Sequence, residues 1–332
     1  MGHVTWPSLA FSGRAALAAA DRIAGDVEVP AQARDFLTDR PFLGPSTAAE
    51  PREGTVLFAQ AFSPQVLARM EGLRSCLILL PSGADPGPLV MENAVLFAGN
   101  PKYAYARLMS FLVPLSVQRG NLAGDPMPGI RADPRFVLEE GVTIEPFATI
   151  GPDVTIGRGT FVMRGASIGP RTRIGEDCVI GEGAVIGSPG FGFAFYGDRP
   201  PLRIPQLGGV VIGDRVEIGS LSCVDAGTIE PTWVEDDVKT NSHVHIAHNS
   251  RIGRGSILGA AVSISGSTRV GSRCWFGPGA VVRNKVTLGD GVTVGMGAAV
   301  VRDVGDGQTV VGVPARPTGN TVPWFESERG VP

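Results

Sequence analysis

The stretch GVTIEPFATIGPDVTIGRGTFVMRGASIGPRTRIGEDCVIGEGAVIG, residues 141–187, places aliphatic side chains at Ile144, Ile150, Ile156, Val162, Ile168, Ile174, Ile180 and Ile186, six apart without a slip. Glycine usually follows directly. Four positions after each aliphatic comes a small or β-branched residue: Ala148, Val154, Thr160, Ala166, Thr172, Cys178 and Ala184. An α-helix repeats every 3.6 residues and a strand every 2, so neither produces this spacing. A period of six is the mark of a hexapeptide β-helix, in which short strands and tight turns stack into a prism. The aliphatic and the small residue point inward, and glycine permits the turn between faces.

The same clock runs on beyond this stretch. Ile212, Ile218 and Val224 keep it in a shifted phase. Val234, Thr240, Ile246, Ile252, Leu258, Ile264, Val270, Phe276, Val282, Leu288, Val294 and Val300 then carry it forward, with Thr240 the only polar member. Three hexads close one coil, which predicts roughly seven or eight stacked coils, each burying its apolar ring against its neighbours. Cys178 and Cys274 occupy inward small positions, where packing is their expected role. The fold class is therefore mainly β, with a β-helix over 131–305. An insert at 188–209, rich in glycine, proline and aromatics, stops the clock and is expected to loop out near a functional face. Residues 1–118 show no hexad. EGTVLFAQAF (53–62) and SCLILLP (75–81) read as strands, while PQVLARMEGL (64–73) and NPKYAYARLMSFL (100–112) read as helices. That is a small N-terminal α/β domain, followed by a linker at 119–130; a short polar tail at 306–332 ends the chain.

Composition narrows the function. The chain has 332 residues and a formal net charge of −3, so no basic field invites nucleic acid or an anionic membrane surface. No apolar run approaches the roughly 18 residues of a membrane span. The N-terminus lacks a basic segment before its alanine-rich stretch, which Arg14 interrupts, so a signal peptide is not expected. The four cysteines are far apart and form no CxxC, as in a reducing, cytoplasmic setting without disulfides. Nothing implies a cofactor.

Three of the four histidines fall in NSHVHIAHNS, residues 241–250. The hexad turns Ile246 and Ser250 inward, so His243, His245 and His248 lie on the outer surface. HVHIAH matches the spacing of the HxHxDH metal signature of metallo-β-lactamase-like hydrolases, but Ala247 stands where the aspartate belongs. The remaining histidine, His3, cannot complete such a ligand set. No metal is expected here. One catalytic base with two bystanders, or three solvated positions, are the readings left.

GTVLF at 54–58, NPKYAYARL at 100–108, GFGFA at 190–194, IPQLGGVVIGDRVEIG at 204–219 and IAHN at 246–249 together resemble the UDP-3-O-acylglucosamine N-acyltransferase family, which adds an acyl chain during lipid A synthesis. The resemblance implies a left-handed parallel β-helix, an exception to the usual right-handed crossover. It implies transfer of an acyl chain from an acyl carrier protein thioester to the amine of a UDP-linked 3-O-acyl-glucosamine. His248 would then be the general base and the backbone N–H of Gly266 the oxyanion donor. Phe58, Phe191, Phe193, Gln206, Asn249, His245 and Met296 are the expected substrate-binding residues: Phe58 would stack on the uracil and Met296 would line an acyl groove. The family also implies a homotrimer, whose neighbouring subunit covers the outward-facing base.

Four departures stand beside the likeness. Ala61, Phe62, Ser63 and Pro64 occupy positions where the family has Asn-Pro-Lys-Tyr around the uracil. Asp225-Ala226-Gly227 replaces Asp-Arg-Gly. Asn241 replaces an aspartate. After VPARP only a short tail follows, where the family carries C-terminal helices. GVPARP itself resembles acetyl-CoA-dependent sugar acetyltransferases, so two alternatives remain open: coenzyme A-dependent acylation of another nucleotide-linked amino sugar for a surface polysaccharide, and a non-catalytic β-helix scaffold.

Overall fold

The computed structural model describes residues 10–38, 40–113, 131–132 and 135–317. His3, the linker expected at 119–130 and the tail beyond 317 lie outside the described residues. The chain divides into two compact units. One comprises Met1–Gly120 with Phe191–Gly208 and Thr228–Glu230, and the other Asn121–Gly190, Gly209–Gly227 and Pro231–Pro332.

The second unit is the expected parallel β-helix. Its strands are mostly two residues long and assemble into three sheets of nine, eight and ten strands. Thr149–Ile150 pairs with Ser167–Ile168, which pairs with Val185–Ile186, so one coil takes three hexads. The periodic aliphatics fill the interior: Ile150, Ile156, Val162, Ile180, Ile186, Ile246, Ile252, Leu258, Ile264 and Phe276 are buried in one continuous core, with Ala148, Val154, Ala166, Cys178, Ala184 and Cys274 between them. Polar residues at inward positions bond within the wall. Thr160 donates to the carbonyl of Gly175 at 2.8 Å, and the Thr240 hydroxyl accepts the N–H of Gly219 at 3.0 Å. These bonds are what make a buried hydroxyl tolerable in an apolar stack.

The prism runs past its last hexad. Arg131–Ala132 and Val137–Leu138 add strands before Ile144. Thr309–Val311 pairs with Thr293–Val294, carrying the sheet past residue 305. Leu138 keeps step with Ile144, but Val310 lies ten residues after Val300, which is why the period alone stops short of the last strand.

Two breaks in the clock lie side by side. Most strands have two residues, yet Val185–Pro189 has five and Cys223–Ala226 has four. They pair with a register shift between Ile186 and Ser188, which brings Ser188 opposite Asp225 and Pro189 opposite Ala226. An extra residue in one of two paired strands re-aims the side chains around it.

In the first unit a four-stranded sheet runs in the order Val27–Glu28, Ala94–Ala98, Leu77–Pro81, Val56–Phe58, its last three strands parallel. Helices Pro64–Met70 and Pro101–Leu112 form where the sequence predicts them. Each starts with a proline, behind the capping side chains of Ser63 and Asn100. Gly13–Arg22 and Ala31–Phe36 are further helices. The expected loop at 188–209 is in part a hairpin of this unit, Phe193–Ala194 against Leu202–Arg203. Asn100 donates to the carbonyl of Phe195 at 3.0 Å, Tyr103 meets Tyr196 at 5.7 Å between ring centroids, and Arg199 pairs with Asp26. Among the described residues no helix is long and apolar enough to cross a membrane.

Candidate active site

The three clustered histidines part ways. Ile246 is buried, so the chain leaves the wall after it and His248 falls on the outer corner, half-buried. The corner is pinned to the next coil by Ala247 N–H to the Ile264 carbonyl and Ser267 N–H to the His248 carbonyl, both at 2.9 Å. Asn249 takes a left-handed backbone, φ 61°, which asparagine tolerates better than most residues. Its own N–H is held by the buried Thr232 hydroxyl at 2.9 Å.

That fixes the imidazole. Asn249 Oδ1 lies 3.0 Å from His248 Nδ1, and an amide oxygen only accepts, so Nδ1 carries the proton. Nε2 is left with a free lone pair. Two glycines give the ring its room. A β-carbon on Gly190 would lie 2.5 Å from the His248 β-carbon, and one on Gly266 would lie 2.8 Å from Nε2 and 2.9 Å from Cε1. Neither glycine has a positive φ, so the requirement is space rather than backbone conformation. The N–H of Gly266 has no acceptor among the described residues. At equivalent corners a carboxylate from the next coil takes this N–H, as Asp290 does for Ser272 at 2.7 Å and Asp214 for Glu176 at 2.9 Å. A basic nitrogen therefore stands beside an unspent donor. This pair can accept a proton from a nucleophile and stabilise a developing oxyanion.

The other two histidines are not equivalent to it. His243 is exposed, on a left-handed turn residue. His245 Nε2 donates to Asp225 Oδ2 at 3.1 Å. That hydrogen bond raises the imidazole pKa against the opposing effect of burial, and it occupies the nitrogen a substrate contact would use. Burial pushes the Asp225 carboxyl up, but hydrogen bonds from His245 and Ser188 outweigh it and leave the pKa below the usual value. Burial also pushes the nearby Cys223 thiol up to about 11.

Of the remaining predicted site residues, Met296 is exposed on the prism. Phe191 is exposed and meets Phe193 edge-on at 4.9 Å, and Arg203 lies over the Phe193 ring. Phe58 is half-buried against Tyr105 at 4.9 Å. Gln206 lies deeper than the others. It is 1% exposed, donates to the Ile204 carbonyl at 2.9 Å and accepts from the Thr228 hydroxyl at 3.0 Å, so its amide ties these segments together. Asn249, expected at substrate, is hydrogen-bonded to the His248 ring. Gly190 and the Ser188–Cys223–Asp225–His245 group escape a reading by period. Their signal is the pair of breaks in the clock at which they sit.

The bacterial transferase hexapeptide family (six repeats) matches residues 154–188 and 267–302. The UDP-3-O-acylglucosamine N-acyltransferase of Caulobacter sp. is 44% identical over 128 residues, which cover 39% of this chain and 37% of that protein. The enzyme of the same name from Delftia acidovorans is 39% identical over 115 residues, 35% of this chain and 34% of that one. The matched segments thus span little more than a third of the relatives' length. The solved UDP-N-acetylglucosamine acyltransferase of Francisella novicida superposes with a TM-score of 0.54 at 24% identity, covering 59% of this chain and 70% of that one, a likeness of fold. The resemblance carried by GFGFA, IPQLG and IAHN holds: the chain is a hexapeptide-repeat β-helix protein similar to the UDP-3-O-acylglucosamine N-acyltransferases.

Proposed function

We propose that this protein is an N-acyltransferase of lipid A synthesis, moving an acyl chain from a thioester on acyl carrier protein to the amine of a UDP-linked 3-O-acyl-glucosamine. The observation that carries this reading is the His248 corner: Nδ1–H donated to Asn249, Nε2 free, and the Gly266 N–H unspent beside it. As the sugar amine attacks the thioester carbonyl carbon, its proton passes to Nε2. The C–N bond forms, the carbonyl oxygen gathers charge, and the Gly266 N–H is the donor placed to receive it. Collapse of the tetrahedral intermediate breaks the C–S bond, and the thiolate leaves with the proton that His248 holds. No covalent acyl-enzyme is needed. Phe58 stacks on the nucleotide base, Phe191, Phe193 and Met296 offer apolar surface to acyl chains, and a homotrimer covers the exposed corner. The setting of this chemistry is the cytoplasm.

A second reading is favoured by one observation. Where the family holds uracil with polar groups, Ser63 and Pro64 here begin a helix, the Ser63 hydroxyl being spent as its cap. This supports a different nucleotide-linked amino sugar, acylated from a coenzyme A thioester. Thiol release, measured with acyl carrier protein and coenzyme A thioesters of several lengths against UDP-3-O-acyl-glucosamine, separates the two. Release only with carrier-protein donors and this acceptor is the expected result. Release with coenzyme A donors and another amino sugar alone transfers the assignment to the second reading, and no release with any pair overturns both.

A further inference from the structure

We propose that Cys223, Asp225 and His245 form a zinc site on the wall of the prism, separate from the His248 corner. Cys223 and Asp225 are two apart on one strand, so both side chains face the same way. His245 pairs directly with Cys223 across the ladder. The Sγ, carboxylate and imidazole donor atoms all lie within 4.8 Å of one another. A tetrahedral Zn²⁺, with bonds of about 2.3 Å to sulfur and 2.0–2.1 Å to nitrogen and oxygen, sets neighbouring ligand atoms about 3.3–3.5 Å apart. Here Cys223 Sγ is 3.4 Å from Asp225 Oδ1 and His245 Nε2 is 3.1 Å from Asp225 Oδ2. Each flanking donor already touches the Asp225 carboxylate, through a different oxygen, so the three ligands are gathered before any ion enters.

The donor set selects the metal. Calcium and magnesium take oxygen ligands, whereas thiolate, imidazole and carboxylate together suit zinc. Ser188 supplies the outer support: its hydroxyl donates to Asp225 Oδ1 at 2.6 Å, which orients the carboxylate. Asp225 is 6% exposed, while Cys223 and His245 are half-buried, so the site is lined within the wall yet reachable. Three protein donors leave the fourth position to water or a substrate atom. On binding, the Cys223 thiol proton leaves to solvent, and the imidazole proton passes from Nε2 to Nδ1, freeing Nε2 for the metal. This donor set differs from HVHIAH, which contributes His245 alone.

The full chain, stripped with a chelator and dialysed, is titrated with Co²⁺ and then Zn²⁺. A thiolate-to-cobalt charge-transfer band that saturates at one equivalent and is abolished by Zn²⁺ is the expected result. Cys223→Ser should remove the band, and His245→Gln should weaken Zn²⁺ binding by more than the roughly 10–100-fold that loss of an outer-shell partner causes. His243→Ala should bind like the parent. Cys223→Ala gives the same readout where Cys223→Ser does not fold. Absence of a charge-transfer band with excess Co²⁺, or a band that persists in Cys223→Ser, overturns the proposal. So does a site lost in His243→Ala and kept in His245→Gln.

Discussion

Gly266→Ala tests the account of the His248 corner with a single methyl group. The new β-carbon would lie 2.8 Å from His248 Nε2, about 0.6 Å inside the 3.4 Å at which ordinary contact begins. Gly266 does not have a positive φ, so alanine fits its backbone without strain, and such a change raises stability by about 0.4–1 kcal/mol through the unfolded chain. The ring must yield instead, and its hydrogen bond to Asn249 yields with it. A misplacement of about 1 Å lowers catalysis on the order of 100-fold, so a retreat of about 0.6 Å should reduce turnover roughly ten- to a hundred-fold, or about 1.4–2.7 kcal/mol of activation free energy. The backbone N–H at 266 survives the substitution, which separates clearance of the ring from supply of the oxyanion donor. The assay is thiol release under saturating substrates, paired with thermal unfolding. Unchanged turnover would refute the claim that this glycine exists to seat the imidazole. A fall in turnover that merely follows a fall in melting temperature would do so equally.

Other substitutions extend the test. His248→Ala should lower turnover by about 10²–10⁴ with an unchanged unfolding midpoint, while His243→Ala, on an exposed turn, should leave both within a few-fold in parallel assays. Asn249→Ala removes the acceptor that sets the His248 tautomer and places alanine in a left-handed conformation. It should therefore reduce turnover and also destabilise by about 1–2 kcal/mol, read by chemical denaturation alongside kinetics. Phe276→Ala empties a fully buried position in the prism core and should cost about 3–5 kcal/mol, seen as a lower denaturation midpoint with normal turnover per folded molecule.

The prism was readable because every coil meets the same steric demand. An aliphatic must face the axis and a residue without bulk must pass the corner, so Ile150, Ile168 and Ile186 announce one another. His248 was readable as an outward residue by the same count, and the resemblance of IAHN implies a catalytic role for it. What the period could not supply lies where the period fails. The register shift beside Ser188 brings that residue to Asp225 and so assembles a group whose members are 35 or more residues apart along the chain on one side. The bonds of the Gln206 amide to Ile204 and Thr228 are likewise not legible in its motif. The bond of Asn249 to the His248 ring joins neighbours in sequence, which spacing does not reveal. The last coil is not legible because Thr309–Val311 places the buried Val310 ten residues after Val300, out of step with the period of six.

Mass analysis of the acceptor after incubation with acyl carrier protein thioester tests the central claim most directly. UDP-3-O-acyl-glucosamine should gain one acyl group, in amide linkage stable to mild base, with the intact chain and at most about a hundredth as fast with His248→Ala. An unmodified acceptor under substrate-level amounts of the intact chain would contradict the account, as would equal product from the His248→Ala variant.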